Sequence, residues 1–274
     1  NLPAEIINKV QVTDTKTKKE ELSGQAASGN NASINLTIDE DKNKGYFARM
    51  MGGYGTDKRY EASGLINYFK GNRKISVLAS SNNINASGFS MNEIFDSMGG
   101  GRNNSFYPGY NGGIGINGMR FGGGNGITRT NILGLTYSDE WFKGFDPNFN
   151  YFYTSADNEN NSKSRSETFL PVDNNSNAPD STIQKKLISE SSSRTDEFKY
   201  AHNLNTDFEF KIDSTSSVYF APRIIKANSK SSSTAQGTTR NQDGNLLNEN
   251  SGSTFDESDN AEFGTELTYN KIFN

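Results

Sequence analysis

The sequence predicts an all-β fold, a transmembrane antiparallel β-barrel of which about eight strands are present. Three observations lead to this fold class. Several segments alternate apolar and polar residues over more positions than a soluble strand usually has, the chain is polar but rich in aromatic residues, and the connections between segments alternate in length. A period of two is typical of a strand whose two faces meet different surroundings.

The clearest alternation runs from Phe198 to Ile212. Its even-numbered residues are mostly aromatic or aliphatic, and its odd-numbered residues are mostly charged or amides. Soluble strands usually have about five or six residues. A tilted strand that crosses a bilayer needs roughly nine to eleven, with lipid on one face and a polar lumen on the other. This segment therefore favours a membrane-spanning strand.

The composition is compatible with a barrel that encloses water. Only 32% of the 274 residues are hydrophobic, whereas Phe and Tyr number 18 and 12. Low apolar content argues against a large water-excluding core, but residues that face a wet lumen need not be apolar. No apolar run approaches the roughly 18 residues of a transmembrane helix. The net charge of −4 gives no reason to expect nucleic acid as a partner.

The first 44 residues differ from the rest of the chain. Apolar residues between Ile6 and Val12 form a short apolar stretch, and the alternation of Ile34, Leu36 and Ile38 predicts a short strand. The polar residues between them predict a loop. We expect a small soluble subdomain, or the end of one. The chain begins without a signal-peptide pattern, so we expect a mature or partial sequence.

Long alternating segments begin at Gly45. Residues 46–54 and 60–68 form two of them, joined by a short connection at 55–59, and both carry Tyr at each end of one face. This is the arrangement expected of aromatic girdles on either side of a lipid band. Further strands are predicted at 75–79, 128–141, 149–153, 198–212, 217–228 and 261–273.

The connections after the first hairpin alternate between long and short. Short turns are predicted at 70–74, 143–148 and 213–216, and long loops at 86–127, 157–194 and 229–259. Outer-membrane barrels have short periplasmic turns and longer extracellular loops, so we expect the three long segments outside the cell. A soluble β-sandwich can also place long loops at one end, but it does not readily explain the aromatic pairs or so polar an inward face.

The residues predicted to face lipid are the apolar and aromatic members of the outward rows. They are Tyr46, Tyr54, Tyr60, Ile66, Tyr68, Phe198, Tyr200, Leu204, Phe208, Phe210, Phe263, Leu267 and Tyr269.

A resemblance to a known family is most specific up to Ser90. Its motifs are Asn-Leu-Pro-Ala-Glu-Ile-Ile-Asn-Lys-Val-Gln-Val at 1–12, Ser-Ile-Asn-Leu-Thr-Ile at 33–38, Lys-Gly-Tyr-Phe at 44–47, Gly-Tyr-Gly-Thr-Asp at 53–57, Arg-Tyr at 59–60, Ile-Asn-Tyr-Phe at 66–69, Ile-Ser-Val-Leu at 75–78, Asn-Asn-Ile-Asn at 82–85 and Gly-Phe-Ser at 88–90. With these motifs the chain resembles TonB-dependent receptor-like outer-membrane proteins of the Bacteroidetes type, in which a globular plug precedes a barrel of roughly 22 strands.

The resemblance implies two regions and a location. Residues 1–44 would be the C-terminal part of a plug-like domain, and residues 45–274 would be outer-membrane barrel strands with long extracellular loops, part of a larger barrel in the bacterial cell outer membrane. The implied function is nutrient binding or transport, or a role as the barrel subunit of an outer-membrane complex. The implied partners are outer-membrane lipid and a surface lipoprotein or other subunits of such a complex. A different class, an extracellular β-sandwich that serves as a binding or adhesion module, remains the alternative.

Neither catalysis nor a cofactor is predicted. His202 is the only histidine, and there is no cysteine. The residues near His202 in the sequence form no activating or metal-binding constellation. Four aromatic residues of the first long loop, Phe106, Tyr107, Tyr110 and Phe121, are the candidates for contact with a ligand or a partner. They can equally pack the loop on itself or over the barrel mouth.

Overall fold

A computed structural model of the chain describes residues 7–14, 16, 26, 32–38, 44–86, 88–90, 93–94, 106–108, 114–116, 119–121, 125–170 and 185–273. In these ranges the protein is all-β. The strands are β1 (Ile7–Asp14), β2 (Ala32–Ile38), β3 (Lys44–Tyr54), β4 (Tyr60–Lys70), β5 (Arg73–Asn82), β6 (Phe106–Pro108), β7 (Ile114–Ile116), β8 (Met119–Phe121), β9 (Ile127–Ser138), β10 (Phe145–Phe169), β11 (Lys186–Asp213), β12 (Ser216–Asn241) and β13 (Leu246–Lys271).

The main sheet contains eight antiparallel strands in the order β13-β12-β11-β10-β9-β5-β4-β3. Each strand pairs with the next one of the sheet along the chain, so the sheet is a meander. The predicted antiparallel all-β architecture is confirmed. The sheet is not closed into a barrel, because β3 and β13 form its two edges and do not pair with each other.

Two smaller sheets accompany the main one. The strand predicted around residues 34–38 is confirmed as β2. It pairs antiparallel with β1, which was not predicted as a strand, with Val10 opposite Leu36 and Val12 opposite Ile34. Strands β6, β7 and β8 form a three-stranded sheet within the connection between β5 and β9. The division of the chain at residue 44 stays a prediction.

The three predicted short turns, which connect β4 to β5, β9 to β10, and β11 to β12, lie at one end of the main sheet. Two further short connections, from β3 to β4 and from β12 to β13, lie at the opposite end. The extent of two long loops was predicted wrongly: β10 continues to Phe169, β11 starts at Lys186, and most of 229–259 belongs to β12 and β13. Residues at these positions are small and polar or charged on both faces, so they show no apolar alternation, but their backbone groups pair in long ladders.

The four C-terminal strands are much longer than a bilayer requires. They contain 25, 28, 26 and 26 residues. At about 3.3 Å per residue such strands are roughly 80–90 Å long, about twice the 40–45 Å of a bilayer with its headgroups.

The two faces of the main sheet differ in burial. One face, here called the covered face, carries most of the buried apolar residues: Leu65, Leu78, Ile132, Phe152, Ala156, Ala201, Ile225 and Ala227. Phe89, Ile94 and Phe121, from the connection between β5 and β9, join the same core cluster. The opposite face, here called the aromatic face, has no such cover among the described residues.

Candidate membrane-contacting face

All thirteen residues predicted to face lipid lie on the aromatic face. In the first hairpin Tyr46 lies opposite Tyr68, and Tyr54 lies opposite Tyr60. The pairing registers of β4, β5, β9, β10 and β11 show that the same face includes Leu204, which lies opposite Tyr151. The same face continues onto β12 and β13, where the register relates Phe208 to Phe220, and Phe220 to Leu267.

The set of residues predicted to face lipid omits several apolar members of this face. They are Met50, Ile75, Val77, Leu133, Leu135, Tyr137, Phe145, Phe149, Tyr151, Val218, Phe220 and Ile224. The signal that would have found them is the same alternation, because they occupy every second position of strands already recognised. With them the apolar surface extends over all eight strands.

This apolar surface is exposed. Tyr46, Phe263 and Leu267 are 84%, 70% and 72% exposed, and smaller exposed fractions occur on the central strands. Monomeric soluble proteins rarely expose contiguous apolar patches of more than a few hundred Å². A surface of this kind therefore indicates contact with an apolar medium or partner.

An aromatic cluster lies where the surface reaches the short turns. The Phe142 and Phe145 rings stack with centroids 4.9 Å apart, and Phe145 is also parallel to Phe208 at 6.2 Å. Trp141, the only tryptophan, packs on Phe149 with ring centroids 6.2 Å apart. Tyr and Trp are enriched at membrane–water interfaces, where one side of the ring is apolar and the other is wet.

Polar contacts fix this end of the surface to the turns. Tyr137 Oη and Arg73 Nε both donate hydrogen bonds to Asp139 Oδ2, at 3.0 and 2.8 Å, and Trp141 Nε1 donates to Tyr137 Oη at 3.0 Å. The hydrogen bond from Arg73 lowers the pKa of Asp139, with a further contribution from Tyr137. The same bond raises the pKa of Arg73. The turn beside the aromatic cluster is therefore held by a charged pair.

A row of polar side chains bounds the other end of the surface. The hydroxyls of Tyr60 and Ser81 share a hydrogen bond of 3.1 Å, Ser81 donates to Asn131 Oδ1 at 2.7 Å, and Asn131 donates to Ser155 Oγ at 3.2 Å. Beyond this row the strands carry ion pairs, such as Lys230 with Glu257 at 2.9 Å. On β3 the apolar surface between Tyr46 and Tyr54 measures about 26 Å along the strand, close to the roughly 25 Å of an outer-membrane lipid band.

His202 lies on the aromatic face in an aromatic environment. Its Nδ1 shares a hydrogen bond of 2.8 Å with the Tyr151 hydroxyl, and its ring is 4.8 Å from that of Tyr153 and 5.5 Å from that of Tyr200. Among the described residues, no cluster of three or more His, Cys, Asp or Glu could hold a metal ion. Nor does this part of the chain contain a helix long and apolar enough to cross a membrane.

Of the four aromatic loop residues predicted to contact a ligand or partner, the structure describes the side chain of one, Phe121. Phe121 is fully buried in the core cluster, which is the packing arrangement considered as the alternative. The side chains of Phe106 and Tyr107, and the whole of Tyr110, lie outside the described residues, so their contact with a ligand stays a prediction.

Comparisons with protein-family models, curated proteins and solved structures find no match to this chain. Its function is therefore inferred from its residues and their geometry.

Proposed function

We propose that this chain is part of an integral outer-membrane β-barrel of the TonB-dependent receptor-like kind, in the bacterial outer membrane. Its role is nutrient binding or transport, or that of the barrel subunit of an outer-membrane complex. One observation carries the proposal: an exposed apolar face, continuous over eight strands, ends at an aromatic cluster on one side and at a polar row on the other.

Lipid suits this face better than water does. Complete removal of a large apolar side chain from water gains about 1.5–3 kcal/mol, and many such side chains are exposed here. Lys230 lies beyond the polar row, where it pairs with Glu257 at 2.9 Å in an aqueous setting. Lys226 lies on the aromatic face between Ile224 and the row, and it pairs at 2.5 Å with Asp259, which lies at the level of the row.

The unpaired edges favour a barrel with more strands. In a bilayer each unsatisfied backbone group costs several kcal/mol, so sheets cross membranes only when they close. Both β3 and β13 are edge strands of the observed sheet. Further strands paired with β3 and β13 would provide hydrogen-bond partners for the backbone groups of these edges. Their absence from the described sheet would also explain why its eight strands do not close into a barrel.

The length of β10–β13 favours a surface role in addition to spanning. If the short turns are periplasmic, these strands continue outside the cell beyond the polar row. On β11 the part from Phe198 to Lys186 is about 40 Å long and carries mainly serine, threonine and charged residues. Such a projecting polar sheet offers contact area to a surface lipoprotein or another subunit of an outer-membrane complex.

Fractionation of cells that make the natural full-length protein tests the proposal. We expect the protein in the outer membrane, resistant to carbonate extraction, and with a gel mobility that changes on heating as folded barrels show. A protein that stays soluble and monomeric without detergent would contradict the proposal and favour the extracellular β-sandwich.

A further inference from the structure

Part of the connection between β5 and β9 lies against the covered face of the sheet. We infer that this inward segment, residues 82–86, 88–90, 93–94 and 119–121, is a fixed obstruction inside the barrel that closes the lumen beside β3–β11 to solutes. The inference rests on the proposed function, because only a barrel has a lumen to obstruct.

The inward segment turns back onto β5 as soon as that strand ends. Asn82 is fully buried, its Nδ2 donates to the carbonyl of Ala86 at 2.8 Å, and its Oδ1 accepts from the N–H of Ala86 at 3.2 Å. Gly88 follows with φ +74°, and a Cβ added there would lie 1.8 Å from Ser80 Oγ. Ser80 points to the covered face, so the chain at Gly88 touches that face directly.

An ion pair connects the segment to the first strand of the sheet. Glu93 accepts hydrogen bonds from the N–H and the hydroxyl of Ser90, at 2.9 and 3.0 Å. Its other carboxylate oxygen pairs with Arg49 of β3. Arg49 lies opposite Leu65, on the covered face.

Apolar contacts connect the segment to the strands on the other side. Ile94 and Phe121 are fully buried in the core cluster, together with Phe152 of β10 and Ala201 of β11. The Lys199 ammonium, also on β11, lies 6.0 Å from the centre of the Phe121 ring. The described contacts therefore extend across the covered face from β3 to β11.

This placement differs from that of an extracellular loop that reaches for a ligand. Such a loop would leave its apolar residues in water, whereas Phe89, Ile94 and Phe121 are packed against the wall of the sheet. In a barrel, a segment that contacts the inner wall at both β3 and β11 fills part of the lumen through which solutes would pass.

Permeability of the full protein in liposomes tests the obstruction. Gly88→Ala should push the segment away from Ser80 and raise sucrose permeability several-fold. Gly244→Ala is the matched control, because Gly244 has φ +85° but no atom within 4 Å of an added Cβ. It should leave permeability at the level of the parent. The comparison is repeated with the plug-like domain deleted, because that domain would itself block the lumen. Equal permeability of the three proteins in this second series would overturn the inference.

A second measurement locates the segment even if Gly88→Ala fails to fold. The chain has no cysteine, so the double variant Arg49→Cys, Glu93→Cys can be treated with a short bis-maleimide. We expect an intramolecular cross-link that forms in folded protein and not in urea. A protein that inserts in membranes but gives no cross-link would overturn only the inference, whereas a protein that never enters membranes would overturn the proposed function with it.

Discussion

Replacement of Ile224 by arginine probes whether the aromatic face contacts lipid. Ile224 lies between Leu204 and Phe263 in the middle of the apolar surface and is 48% exposed. Arginine at the midplane of a bilayer on the lipid face of a barrel costs about 2–4 kcal/mol. At 1.4 kcal/mol per factor of ten, the ratio of folded to unfolded protein should fall roughly 30- to 700-fold. In water, a surface substitution of this kind costs about 1 kcal/mol or less.

Gln236→Arg is the matched control for Ile224→Arg. Gln236 is on the same strand and the same face, but it is beyond the polar row and lies between Ser192 and Ser251, so the new charge has neutral neighbours and water. Unfolding by urea in liposomes, followed by the fluorescence of Trp141, gives both free energies. Equal losses in the two variants would refute the assignment of the aromatic face to lipid.

Two further predictions concern the turns. Single cysteines in place of Asp243 and Asn72 lie at opposite ends of the sheet, and on intact cells only the first should react with a membrane-impermeant maleimide; reaction at position 72 alone would reverse the proposed orientation. The hydroxyl and the N–H of Thr215 lower the pKa of Asp213 to about 2, so this carboxylate stabilises its turn fully above its ordinary pKa and loses that contribution as the pH falls towards 2. Carboxyl NMR should give the low titration midpoint in folded protein, and an ordinary midpoint would contradict the turn geometry.

The alternating pattern predicted the parts of the fold in which one face is apolar. The strand that contains Phe198 and Phe210 and the paired tyrosines at 46–54 and 60–68 were found in this way, because burial or lipid contact on one face imposes a period of two. The short turns followed from Gly, Asp and Lys between such segments.

Two features could not be predicted because neighbouring strands create them. The outer halves of β10–β13 carry polar residues on both faces, and their pairing depends on backbone ladders and on cross-strand hydroxyl contacts, such as Ser164 with Ser191 at 2.8 Å and Thr195 with Ser233 at 3.1 Å. The burial of Phe121 depends on contact with strands far away in sequence, and its Gly-rich surroundings show no periodicity.

Spin labels on single-cysteine variants test the central claim, contact between the aromatic face and lipid, most directly. In the full protein reconstituted in bilayers, labels at Leu135, Leu204 and Ile224 should collide readily with dissolved oxygen and rarely with a water-soluble nickel chelate. A label at Gln236 should show the opposite preference. If the labels at 135, 204 and 224 are as accessible to the nickel chelate as the label at 236, the aromatic face does not contact lipid.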